Sequence, residues 1–215
     1  MLEYATTVFV TLLVVIDPAA VLPVYLALTQ RQSKQRRRET AIRATIVATS
    51  VMIIVAFTGD GFLRLLGIGL PAFRIAGGLL LFLLSIDMVL ARQIGVQSTT
   101  EAETEEAEGS YDIAVFPLGI PLIAGPGAMT SIILLMGRAS GDIVMQAIVI
   151  AALLSILVLS LATLVFGAPL MDKLGVTGIN VIGRVFGIVL AALAVQYVIT
   201  GVQDVLIAIP ATVPR

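Results

Sequence analysis

Tyr4-Ala-Thr-Thr-Val-Phe-Val-Thr-Leu-Leu-Val-Val-Ile-Asp17-Pro18-Ala-Ala-Val-Leu-Pro-Val-Tyr-Leu-Ala-Leu-Thr29 is an apolar run of 26 residues with a carboxylate and a proline near its middle. A helix that crosses a bilayer needs about 20 mostly apolar residues, so the run is long enough to span. Proline lacks an N–H and clashes with the preceding turn, and Asp before Pro forms a natural cap and first helical position. The stretch therefore reads as two half-helices, the second opening at Pro18 inside the membrane. The plainer alternative is a kinked helix with Asp17 capping its own second half.

The rest of the chain agrees with a membrane setting. Of 215 residues, 59% are hydrophobic and 13% charged, against about half and a quarter in a soluble domain. Six spans of about 20 residues would use nearly all the apolar content, which excludes a soluble enzyme. With neither Cys nor His, thiolate or imidazole metal sites, disulfides and Ser-His-Asp triads are ruled out, and no metal or cofactor is expected. A net charge of −1 gives no basis for nucleic-acid binding. Met1-Leu2-Glu3-Tyr4 lacks the positive start of a signal peptide, so the segment is expected to be retained.

Five further runs follow, at about Ala41 to Phe57, Pro71 to Ala91, Ile113 to Met136, Ile143 to Phe166 and Ile179 to Thr200. Helices are the open-ended way to satisfy a backbone in lipid. The second run is expected to stop at Gly59-Asp60-Gly61, and the fourth to break at Gly125-Pro126-Gly127. Residues 97–109, rich in Glu, Thr and Ser, read as a solvated linker.

That linker lies at the midpoint of the chain. Asp17-Pro18-Ala19-Ala20 aligns with Gly125-Pro126-Gly127-Ala128 at an offset of 108, Leu66-Gly67-Ile68 with Leu174-Gly175-Val176 at the same offset, and Gly78 with Gly187 one residue out. Repeats of three spans each must have opposite orientations. The expected architecture is therefore an all-α integral membrane protein of six transmembrane helices, arranged as two inverted three-helix repeats. The first helix of each repeat is broken, as in many secondary transporters. The divisions are 1–95, a flexible cytoplasmic linker at 96–111, and 112–215. Arg31, Lys34, Arg36, Arg37 and Arg38 place the first loop in the cytoplasm by the positive-inside rule. Both termini then face outward, with eight basic residues inside and three outside.

The chemistry concentrates at the two breaks. A midplane carboxylate costs about 2.5 to 3.5 kcal/mol on insertion scales unless it faces a cavity or partner. A helix N-terminus bears about half a positive charge and bare N–H donors, a ready anion site. Asp17, Pro18, Ala19 and Ala20 on one side suit an ammonium or a proton. Gly125, Pro126, Gly127 and Ala128 on the other suit a carboxylate, with the glycines leaving room for its approach. A small zwitterion satisfies both. Thr130, one turn past Pro126, is a further contact or bonds back to its own helix. Arg74 either snorkels to the interface or partners Asp17 or a substrate carboxylate. Asp87, with Gln196 as its repeat counterpart, joins Asp17 as a candidate for ion coupling. Gly77-Gly78 and Gly183-x-x-x-Gly187 read as helix-packing surfaces.

Asp17-Pro18-Ala-Ala-Val-Leu-Pro23 with Leu28-Thr29, Phe73-Arg74-Ile-Ala-Gly77-Gly78, and Phe116-Pro117-Leu-Gly-Ile-Pro121-Leu-Ile-Ala-Gly125-Pro126-Gly127-Ala128-Met-Thr130 together resemble the MarC family. The resemblance covers essentially the whole chain. It implies a six-span protein of the prokaryotic inner membrane, in a family also described as neutral amino acid transporters and grouped with LysE-type exporters. The family's first motif usually reads Asp-Pro-x-Gly-Asn-x-Pro, and here Ala20 and Val21 stand in place of Gly and Asn.

The function expected is secondary transport of small neutral amino acids or similar metabolites, proton-coupled through Asp17. The partners are that substrate and the lipid bilayer; the oligomeric state, a homo-oligomer included, stays open. The alternatives are a structural or lipid-interacting protein without flux, and an intramembrane hydrolase pairing Asp17 with Asp60 or Asp87 in an aspartyl dyad. Deleting most of 97–109 is expected to leave transport intact where the remaining chain spans the gap. Lost transport in a folded deletion variant would assign the acidic stretch a specific role.

Overall fold

The computed structural model describes residues 1–90 and 112–208; the expected linker at 96–111 lies outside them. Among the described residues there are no strands. Five helices are long and apolar enough to cross a membrane, and a sixth crossing is formed if one bent pair counts as a single span.

The first run is broken where expected. Helix α1 (Leu2–Ile16) ends at Asp17, which adopts φ 42, ψ 70, a left-handed conformation that Asp tolerates better than most side chains. Helix α2 (Pro18–Leu28) starts at the next residue with Asp17 as its cap. The carbonyls just past the end of α2 are tied down by the basic stretch: Arg37 Nε donates to Thr29 O and Nη2 to Gln30 O, both at 2.8 Å. Tyr25 Oη donates in turn to Arg37 O at 2.8 Å.

Two expectations are corrected in the next elements. Helix α3 runs Lys34–Leu65, so most of the basic stretch forms its first turns, and Gly59-Asp60-Gly61 does not interrupt it. A glycine in a helix interior costs about 1 kcal/mol, too little to end a packed helix. Here Gly59 lies against Ile133, whose Cγ1 would sit 2.5 Å from an added Cβ, and Asp60 pairs with Arg64 one turn on at 2.9 Å. At about 1.5 Å per residue, this 32-residue helix is longer than the hydrocarbon core. Helix α4 (Leu70–Val89) follows a turn with Pro71 in its first turn.

The second half opens differently from the first. Ala114–Ile123 was expected to be the first half of a broken helix and is instead wound in wide five-residue turns, with Leu118 N donating to Ile113 O and Ala124 N to Gly119 O. Phe116 and Ile120 are extended (φ −133 for both), and each precedes a cis proline, Pro117 and Pro121. A residue before proline is driven out of the α region. Two such positions four residues apart prevent any regular α-turn. Helix α5 (Pro126–Arg138) then departs at 55° from this segment.

Helix α6 (Ile143–Phe166) has the bounds read from the sequence, and Asp142 caps it by accepting from the amides of Val144 and Met145. Helix α7 (Ala168–Ala208) is interrupted at Gly175, φ 64. It continues beyond the expected end at Thr200.

Helices α4 and α7 are antiparallel and packed along their length. An added Cβ at Gly78 would lie 2.8 Å from both Ala194 O and Val198 Cγ2, and one at Gly187 would lie 2.9 Å from Met88 Cβ and Val89 Cγ2. Small residues let helix backbones approach closely in lipid, where dispersion replaces the hydrophobic effect as the driving force. The α5 face of α4 is notched in the same way, with Gly77 receiving the methyl of Thr130. Leucine at Gly78 or Gly187 is expected to lower the thermal midpoint in detergent through overpacking of about 1–3 kcal/mol or more. Leucine at Gly183, where nothing lies within 4 Å, should leave it unchanged. Equal melts for all three variants would refute the close-packed interface.

Candidate functional site

The site is built on Asp17. Its backbone carbonyl accepts from Ala20 N at 3.1 Å and Val21 N at 3.3 Å, and its Oδ1 accepts from Ala20 N at 3.3 Å. Its other carboxylate oxygen, Oδ2, is buried with no hydrogen-bond partner, and the residue is 3% exposed. The helix cap thus uses one oxygen and leaves the other. An unpaired carboxylate oxygen in an apolar interior is costly, and the two chemical remedies are a proton or a cationic ligand.

The second break lies next to the first. Gly125 caps α5 with an extended backbone and no side-chain bond to the first turn. A Cβ on Gly127 would lie 3.4 Å from Val15 Cγ1, two residues before Asp17, so the start of α5 lies against the end of α1. The same Cβ would sit 3.1 Å from Leu81 Cδ2 and Leu84 Cδ2, so α4 and α1 pack against the Cα side of this glycine.

The other candidates are distributed around this pair. Gly125, Gly127, Ala128 and Thr130 are buried, whereas Pro126 is exposed; Pro18 is buried, Ala19 half-buried and Ala20 exposed. Thr130 places its methyl in the notch of Gly77. Asp87 is half-buried and stands one turn beyond Leu84, the residue that touches Gly127. Asp60, the alternative dyad partner for Asp17, is engaged by Arg64.

Arg74 is buried and neither snorkels nor pairs with Asp17; its Nη1 donates to Asp204 Oδ2 on α7. Asp204 went unrecognised because it lies past the end of the sixth apolar run, in a stretch that reads as outside the membrane. The only hint was an unmatched basic residue inside α4. Among the described residues, no group of three or more His, Cys, Asp or Glu side chains is placed to hold a metal.

Comparison with known proteins identifies a membrane family. The family model described as MarC family integral membrane protein matches residues 2–206. The chain belongs to the MarC family. Among its MarC-type relatives, a UPF0056 membrane protein of Archaeoglobus fulgidus is 39% identical over 204 residues, covering 93% of this chain and 92% of that one. One from Aquifex aeolicus is 34% identical, covering 92% of each chain. The UPF0056 membrane protein YhcE of Escherichia coli is 32% identical, covering 92% of this chain and 91% of its own. Bacterial and archaeal members therefore share this integral membrane family. No solved structure matches the chain.

The crowding at Gly127 makes a prediction that separates packing from binding. Gly127→Ala is expected to be accommodated by small shifts of Leu81 and Leu84, and Gly127→Val to lower the melting temperature by several degrees. A valine variant as stable as the wild type would return this face to the ligand.

Proposed function

We propose that this MarC-family protein is a secondary transporter of small neutral amino acids or similar zwitterionic metabolites. The observation that carries the reading is the buried, half-satisfied carboxylate of Asp17 beside a second helix start that no side chain caps. An ammonium fits the unpartnered Oδ2, and a carboxylate fits the first free amides of α5, where the helix dipole favours negative charge. A proton on Oδ2 is the alternative occupant, which gives the same residue a means of coupling transport to a proton gradient. Asp87, one turn from the break, is the second candidate for that coupling.

The two-repeat architecture is part of the proposal. Each half of the chain opens on a broken crossing followed by two long helices. The third helices, α4 and α7, are antiparallel, as an in-plane twofold axis requires and a parallel repeat does not. Their contacts also interchange: Gly78 meets Val198 and Gly187 meets Val89, and the 109-residue shift that carries Gly78 to Gly187 carries Val89 to Val198. With the basic end of α3 in the cytoplasm, both termini face out of the prokaryotic inner membrane.

Counterflow of a panel of neutral amino acids into liposomes tests the reading. Asp17→Asn keeps a capping side chain but loses the charge, and is expected to weaken affinity about ten- to hundredfold, since a charge-assisted hydrogen bond contributes about 1.5–3 kcal/mol. Counterflow unchanged in Asp17→Asn would remove the carboxylate from the substrate path.

A further inference from the structure

The first turns of α3 and the start of the second half of the chain border a cavity of about 370 Å³, toward the small end of the range for ligand pockets, about 300 to 1,000 Å³. Arg36, Thr40 and Arg43 line it; spaced four and three residues apart, they share one face of α3. Gln32, from the turn after α2, and Asp112 complete the wall.

Most of the polar groups around the cavity are tied to one another. Arg43 pairs with Asp112 Oδ2, and Asp112 Oδ1 accepts from Ala114 N at 3.2 Å. Thr40 Oγ1 donates to Gln32 Oε1 at 3.0 Å, which leaves the amide nitrogen of Gln32 as a donor. One turn beyond Arg43, Val47 Cγ1 would lie 3.1 Å from a Cβ on Gly119, so α3 and the fourth crossing stay packed past the cavity.

Arg36 and Glu39 differ from these. Both line the cavity, and neither forms an ion pair among the described residues, with the other or elsewhere. Glu39 accepts a hydrogen bond from Gln35 Nε2 at 3.1 Å. Both are exposed, as the side chains of a site open to water are. Because Arg43 and Asp112 neutralise each other, the cavity presents one cation and one anion that lack an ionic partner, one helical turn apart.

We infer that this cavity binds a small zwitterion, its acid group on Arg36 and the Gln32 amide and its ammonium on Glu39. A guanidinium holds its donors in a plane that matches a carboxylate or phosphate, and Glu39 supplies the acceptor for an ammonium. A ligand with a single charge satisfies one of the two side chains and is repelled by the other. The required chemistry is shared by a free amino acid and by the headgroup of an ethanolamine phospholipid. Asp17 lies at the far end of α2, an 11-residue helix, about 16 Å away along its axis, too far for one such molecule to touch both. The ligand class follows here from Arg36 and Glu39 and not from Asp17, so the two sites stand or fall separately.

The chain has no cysteine, so Thr40→Cys in the purified full-length protein provides a single thiol in the cavity, and ligand binding is read as protection from a maleimide. Alanine and glycerophosphoethanolamine are the probes, with propionate and propylammonium as singly charged controls at equal ionic strength. At least one zwitterion is expected to protect saturably while neither control does, and the one that protects at lower concentration identifies the source. Glu39→Gln and Arg36→Gln, each added to Thr40→Cys, should raise the half-protecting concentration about tenfold. Asp17→Asn should leave protection unchanged even where it abolishes counterflow. If Thr40→Cys fails to fold or to label, Ile113→Cys on the opposite wall is the reporter. The inference is overturned if neither zwitterion protects, if either control protects equally, if protection survives both Glu39→Gln and Arg36→Gln, or if Asp17→Asn abolishes it.

Discussion

A polypeptide in lipid has no water to complete its backbone hydrogen bonds, so each interruption of a helix must be repaired by the protein itself. Among the described residues, new helices start deep in two of the apolar runs, at Pro18 and Pro126, and these starts are repaired to different degrees. At Asp17 the side chain and carbonyl together cap the amides of Ala20 and Val21. At Gly125 no side chain takes that part. Much of the remaining structure reads as what is needed to hold these two unfinished ends side by side: α4 fills the space at Gly127 with Leu81 and Leu84, and α1 adds Val15.

Holding them depends on small residues at crossings, since exposed faces of α4, α6 and α7 carry large apolar side chains such as Leu83, Val158 and Ile188 that meet lipid as readily as protein. In that solvent, burying apolar surface gives little preference for one helix partner over another. Shape decides instead. Gly77 accepts Thr130, Gly78 accepts the backbone near Ala194 and Val198, Gly187 accepts Met88 and Val89, and Gly201 lies against Pro71 and Ile75. The notches fix both the register and the antiparallel sense of α4 and α7.

The sequence was legible where one physical rule dominated. Length and apolar content were enough to locate α6, which has neither a proline nor a charge within it. Asp17-Pro18 announced a break because both residues favour the same helix start. The reading failed where two rules competed. Gly59-Asp60-Gly61 has the composition of a turn, yet packing against Ile133 and the Asp60–Arg64 pair keep it helical. Around Phe116-Pro117 and Ile120-Pro121 the apolar content suggested a helix, but the pre-proline restriction prevailed. At the site, the polar residues themselves were identifiable from the sequence, whereas their partners were not. Arg74 stood out as a charge in an apolar run, but Asp204 lies 130 positions further on, and no local pattern links the two.

The contacts of Arg37 have a mechanical consequence. Its guanidinium joins the carbonyls of Thr29 and Gln30, just past α2, to the first turn of α3, and Tyr25 returns a bond to its carbonyl. The tie fastens the turn after α2 to the start of α3. The opposite end of α2 is attached to α1 through a single left-handed residue and a proline. Asp17 is therefore at once the joint between α1 and the tied end of α2 and the holder of the unpaired oxygen.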